Sequence, residues 1–314
     1  MHTALACTRV AELERLARQV VRGGWASLRL ERFRTGQERT AFQHLLDTRG
    51  ADLQAAPFSR LYVGHEACEH LVPSPAEWER ALALAARLGL GLSAVLPPTY
   101  AAHEDAVAAL LDRLQAAALP GLEVVCAEWG TVALVGERPG LTPVLGRLAN
   151  RMKRLERWSL QRPAPDVRGL AGTTAPAVLD AQIDLLRRSP LLLAETRARL
   201  QRERVGGVEL DPVPQGLDAS ALLLGPVALH VPWTYVTSGR SCVTRALVEG
   251  ASPTSPESPC PRYCLTRYVL ADQPRPTAPL VQKGNAVYQE NVAVLSEVPD
   301  ALLLAARWVV RPFL

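Results

Sequence analysis

Cys242, Cys260 and Cys264 stand in a C-x17-C-x3-C pattern toward the end of the chain. Three thiols inside 23 residues, two of them a helical turn apart, suit ligation of soft iron or zinc, because tetrahedral thiolate sites draw paired ligands from tight local turns. The bland reading is three unrelated buried cysteines. A fourth ligand would complete either a four-thiolate iron-sulfur site or a zinc site. Cys68 offers one, in Gly64-His65-Glu66-Ala67-Cys68-Glu69-His70 just after the apolar triplet Leu61-Tyr62-Val63. Cys126, ending another apolar run, competes with it, and Cys7 reads as a bystander.

Other side chains near these thiols have their own chemistry. His65 and Glu66 lie beside Cys68, as an acid-base pair, as hydrogen-bond donors to the ligands, or as a polar rim. Arg240 lies two residues before Cys242 and would neutralise a negative centre or anchor a substrate. Arg147, Lys153 and Arg154 belong to a basic run that suits a small anionic or aromatic substrate, since guanidinium groups grip carboxylates or phosphates with paired hydrogen bonds; a solvated basic face is the alternative. Trp233, Tyr235 and Tyr263 would shield a metal centre from solvent or belong to the core. No Ser-His-Asp order, nucleophile elbow, HExxH helix or Gly-rich phosphate loop appears.

Positioning such groups falls to a regular alternation of elements. Leu61 to Val63 reads as a strand, Ala76 to Leu88 as an amphipathic helix, Gly91 to Leu96 as a strand, Ala106 to Ala118 as a helix and Leu122 to Cys126 as a strand. That succession predicts βαβ units and a parallel sheet. It continues through Thr142 to Leu145, helices over Ala177 to Leu186 and Leu191 to Arg202, and Val208 to Leu210. Val10 to Val21 has a helical period, and Trp25 to Leu30 alternates like a short strand. Gln161 to Thr174 and Ala251 to Pro261 are Pro-rich loops; short β-like runs follow at Tyr268 to Leu270, Leu280 to Gln282 and Ala286 to Tyr288. The expectation is an α/β fold, a TIM-like and possibly incomplete βα barrel over 58–240. An N-terminal extension over 1–57 would pack on it, and 241–314 would carry an irregular cysteine-bearing region and closing elements.

Composition narrows the classes. The 314 residues are 48% hydrophobic and 21% charged with net charge +4, which excludes chain-scale disorder and a highly basic nucleic-acid coat. Nucleic acid is not indicated, because aromatics make up only 5% and form no stripe. The longest uncharged run, Ala219 to Gly239, is broken by Gly225, Pro226, His230 and Pro232, so no membrane span is expected. Arg9 and Glu12 come too early for a signal-peptide core, and six cysteines are too few for a disulfide scaffold. A cytoplasmic, reducing setting follows.

Five blocks of sequence carry a resemblance. They are Tyr62-Val63-Gly64-His65-Glu66-Ala67-Cys68, Leu145 to Arg154, Gly206 to Gly216, Leu229 to Cys242, and Lys283-Gly284-Asn285-Ala286-Val287-Tyr288-Gln289-Glu290-Asn291. In this order they resemble the peptidase U32 family over some three quarters of the chain. Despite that name, the resemblance implies a [4Fe-4S] protein of oxygen-independent hydroxylation. The cysteine arrangement is most similar to the branch that serves anaerobic ubiquinone biosynthesis, where one early cysteine after a barrel strand joins three late ones. Carried onto this chain, the ligands become Cys68, Cys242, Cys260 and Cys264. A paralogous partner subunit, forming a heterodimer, is implied as well. A U32-type peptidase, an RNA-modifying hydroxylase and a non-catalytic metal-stapled partner remain alternatives. Val231-Pro232-Trp233-Thr234-Tyr235 stands where peptidase-like members carry an additional cysteine, which argues against that branch.

Overall fold

The apolar runs close into a ring. A computed structural model describes the chain except residues 30–32, 34, 151, 153, 155–175, 251–259 and 272–278. Its strands, numbered along the chain, are β1 (His2–Cys7), β2 (Phe58–Gly64), β3 (Gly91–Leu96), β4 (Glu123–Cys126), β5 (Thr142–Leu145), β6 (Gly207–Leu210), β7 (Val227–Val231), β8 (Trp233–Ser238), β9 (Val269–Ala271), β10 (Leu280–Lys283), β11 (Ala286–Glu290) and β12 (Arg307–Val310). Strands β1 to β7 and β12 form a closed, all-parallel barrel in the order β1-β12-β7-β6-β5-β4-β3-β2, and β8-β11-β10-β9 form a separate antiparallel sheet.

Barrel strands are buried on both faces, which is why they read as continuous apolar runs. Inward, Ala4, Ala6, Tyr62, Val95, Val125, Val144, Ala228 and Val309 fill the lumen. Outward, the row Leu5, Leu61 and Leu92 runs across β1, β2 and β3 and packs under the helices. These helices are α1 (Val10–Gly23), α2 (Gly36–Ala55), α3 (Pro75–Leu88), α4 (Glu104–Ala116), α5 (Trp129–Gly136), α6 (Pro176–Arg187), α7 (Ala194–Arg202), α8 (Val243–Glu249) and α9 (Asp300–Ala305). Helix α3 shows how locally they are specified. Ser74 and Glu77 make a capping box, Pro75 opens the first turn, Gly89 closes the helix in the left-handed region, and Trp78, Ala81, Leu84 and Ala85 form the buried stripe. Losing such a cap costs about 1 kcal/mol.

The barrel is complete, and it reaches beyond the expected 58–240 span at both ends. Residues 1–57 are not an extension: β1 lies between β2 and β12, α1 follows it, and α2 is added before β2. The alanines of Ala4-Leu5-Ala6 have weak strand propensity, and pairing on both sides overrides it. Trp25–Ser27 forms a 3₁₀ turn, where alternation suggested a strand. The C-terminal region is also more regular than expected, since its short β-runs make the antiparallel sheet inserted between β7 and β12. Gln161 to Thr174 and most of Ala251 to Pro261 lie outside the described residues. No helix among the described residues is long and apolar enough to cross a membrane.

Candidate metal centre

Cys68, Cys242, Cys260 and Cys264 line one cavity, together with Glu69, His70, Leu71, Arg240, Arg245 and Asn285. Each thiol comes from a different piece of local structure. Cys68 lies just past the C-terminal end of β2, the barrel end where βα loops build sites. The strand exits through Gly64 at φ 115°, where an added Cβ would lie 2.2 Å from the Val95 carbonyl oxygen, so the turn toward Cys68 requires glycine. Cys242 caps α8, its sulfur accepting from the Arg245 N–H at 3.4 Å. Cys264 sits in the 3₁₀ turn Tyr263–Leu265 and packs with Cys68 and Leu71. Cys260 precedes that turn, and its sulfur accepts from the Arg262 N–H at 3.4 Å.

The turn between β10 and β11 ties these pieces together. Gly284 donates its N–H to Thr244 Oγ1 at 2.8 Å and accepts from the Thr244 N–H at 3.2 Å, which fixes the first turn of α8. Asn285 Nδ2 donates to the carbonyl oxygens of Ala67 and Gly239, joining the chain before Cys68 to the chain before Cys242. The block around Lys283-Gly284-Asn285 is thus a clamp on loops far apart in sequence.

Burial dominates the electrostatics of the thiols. It pushes Cys264 up to about 11 and Cys68 higher still, and it raises Cys242. These are protonated thiols at neutral pH, unlike the low-pKa, exposed thiolates of nucleophilic cysteines. Arg240 and Arg245 line the cavity as cations, and Arg240 also lies over the Tyr100 ring at 4.6 Å.

One zinc ion with Zn–S bonds of about 2.3 Å holds its sulfurs about 3.8 Å apart. Among the described residues, groups of three or more donors whose ligand atoms all lie within 4.8 Å of one another include none of these cysteines. The four thiols share a cavity, and no three of their sulfurs lie within 4.8 Å of one another in this structure. Cys126 ends β4, fully buried and bonded to the Val124 carbonyl oxygen, and Cys7 ends β1, so neither joins the set.

The remaining sequence candidates separate. His65 is buried and neutral, since burial and the nearby Arg311, Lys283 and Arg147 hold it well below the ordinary imidazole range. Its Nδ1 accepts from the Ala67 N–H at 3.1 Å, so Nε2 carries the proton and donates to Tyr288 Oη at 3.2 Å; Tyr288 then donates to Tyr235 Oη at 3.1 Å. Glu66 instead pairs with Arg147, whose Nε and Nη2 donate to it at 3.1 and 2.9 Å, while Arg147 Nη1 donates to Asp211 at 2.7 Å. Burial works against the Arg147 charge, but Asp211 and Glu66 outweigh it.

Arg147, Asp211 and Tyr235 wall a second cavity of about 330 Å³, with Asn150, Met152 and Arg154. Arg154 donates to the Tyr235 carbonyl oxygen and to Gln289. Lys153 lies outside the described residues. Trp233 and Tyr235 pack in the cluster behind this wall rather than on the cysteine cavity. Among the described residues, His65, His230, His44 and His70 are partnered by tyrosine, glutamate or backbone.

Several residues of this region carry no motif. Glu209 on β6 and His230 on β7 point into the lumen and bond to each other at 2.9 Å. The available signal was a carboxylate and an imidazole set inside the apolar runs Val208 to Leu210 and Leu229 to Val231. Comparison with protein-family models, with curated proteins and with solved structures finds no match to this chain.

Proposed function

We propose that Cys68, Cys242, Cys260 and Cys264 hold a [4Fe-4S] cluster, and that the protein supports an oxygen-independent hydroxylation or a related redox modification of a small anionic or aromatic substrate. The carrying observation is that four cysteines, from three stretches of sequence, line one cavity just past the C-terminal end of a barrel strand. Four thiolates are the ligand set that a [4Fe-4S] cluster takes, and these four would hold it. When bound, it supplies one-electron transfer.

This chain's own residues account for the rest. The Arg245 and Arg262 N–H groups donate to two ligand sulfurs, and Arg240 and Arg245 offset negative charge; both effects make an electron easier to accept. The 330 Å³ cavity is the substrate site in this reading, with Arg154 and Tyr235 on its wall. Tyr235, Tyr288 and His65 form a hydrogen-bonded chain from that wall to the loop before Cys68, which fixes the Tyr235 hydroxyl. For a paralogous partner this reading points to α8, where Val243 and Leu247 stand exposed one turn apart, and to β9, the edge strand among the described residues, where Val269 and Leu270 are exposed.

Purification without oxygen tests the reading. Brown protein with broad absorption near ~400 nm that dithionite bleaches is expected. Colourless protein carrying one zinc per chain contradicts it.

A further inference from the structure

The lumen end of the barrel holds a second donor set, separate from the cysteines. Glu66 follows β2, Glu209 lies on β6 and His230 on β7, so two strands and a loop aim three metal-binding side chains at one point. Their ligand atoms lie within 4.8 Å of one another, and all three residues are at most 1% exposed. Glu66 Oε2 and Glu209 Oε1 are buried without a hydrogen-bond partner, and His230 turns Nε2 toward Glu209. An unsatisfied buried carboxylate oxygen is costly, so two beside one imidazole call for an occupant.

We infer that Glu66, Glu209 and His230 form a binding site for a divalent first-row metal ion. Two carboxylates and an imidazole are donors of that class, harder than the thiolates of the cysteine cavity. Glu209 Oε2 and His230 Nε2, 2.9 Å apart, match adjacent ligands of an octahedral ion with bonds of about 2.1 Å. Arg147 fixes the other oxygen of Glu66 with two hydrogen bonds, an outer layer of the kind that orients metal ligands. Asp211, which also bonds Arg147, balances that cation. Arg147, which bonds Glu66, also lines the wall of the 330 Å³ cavity together with Asp211.

This site does not depend on the cluster, and Mn²⁺ separates the two, since it prefers carboxylate and imidazole to thiolate. The full-length chain, freed of metal by chelation, is titrated with Mn²⁺ while free Mn²⁺ is followed by electron paramagnetic resonance. The expected result is one equivalent bound well below ~1 mM, a Tm that rises with Mn²⁺, and the same binding in Cys242→Ala. Glu209→Gln and His230→Ala should each weaken binding at least about tenfold. Should His230→Ala fail to fold, the nearly isosteric Glu209→Gln decides alone. Absence of binding, the outcome if a water or a shared proton sits between these atoms, overturns the inference. So does binding that both substitutions leave unchanged.

Discussion

Asn285 donates a hydrogen bond to the carbonyl oxygen of Ala67 across 218 positions of sequence, one residue before Cys68. A second bond, to Gly239 at 2.8 Å, completes a bridge between the loops that carry Cys68 and Cys242. Asn285→Ala removes both and leaves the buried Ala67 carbonyl unpaired, at a cost of about 1–3 kcal/mol. The chain should still fold by far-UV circular dichroism but retain less than about half of the wild-type iron per chain, because preorganised ligands are what hold a cluster. Full iron content in this variant would show that the clamp does not position the thiols.

Gly64→Ala should be among the most damaging small substitutions. The added methyl meets the Val95 carbonyl at 2.2 Å and φ is 115°, so β2 and β3 must part or the turn must change. A loss of at least about 2–3 kcal/mol in urea melts is expected, together with loss of metal. Gly89→Ala, at φ 65° with open space around its Cβ, should cost only about 1 kcal/mol.

Much of this arrangement was readable from the chain, but unevenly. Strand–helix alternation from Leu61 to Cys126 carries its own punctuation, such as Ser74-Pro75 and Gly89, and it predicted the barrel. Cys242, Cys260 and Cys264 announced themselves by density, and Cys68 by its place after a strand. Other features are products of closure. β1 is a strand because β12, some 300 residues later, pairs with it. Arg147 looked like an anion receptor, yet the fold turns it inward onto Glu66 and Asp211. Glu66, Glu209 and His230 share no local pattern, and only the lumen brings them together.

Arg147 should therefore behave as a structural cation. Arg147→Ala strands Glu66 as a buried charge and unpairs the half-buried Asp211, a loss of about 3–5 kcal/mol in chemical denaturation. Arg147→Lys keeps the charge but not the fork, and should fall between wild type and Ala. Wild-type stability in Arg147→Ala would return Arg147 to the substrate site alone.

Glu209 links stability to pH. Burial pushes its carboxyl up to about 7 from the ordinary 4.5, so between those values the folded protein keeps a proton that the unfolded chain has released. This contribution is full below pH ~4.5 and is lost as pH rises through ~7, on the order of 2–3 kcal/mol. Burial lowers His65 and His230, which act in the opposite sense, so the readout is the difference between wild type and Glu209→Gln. In chelator, urea melts at pH 5 and pH 8 should show Glu209→Gln gaining on wild type as pH rises. A constant difference would contradict the assignment.

Cys68 tests the account most directly, because it alone comes from the first half of the chain. Iron and acid-labile sulfide should be measured in anaerobically purified wild type and in Cys68→Ala. About four of each per wild-type chain are expected, with loss of most of both in the variant while its far-UV circular dichroism is kept. Zinc without sulfide in the wild type, or the same iron and sulfide with and without the Cys68 thiol, would contradict it.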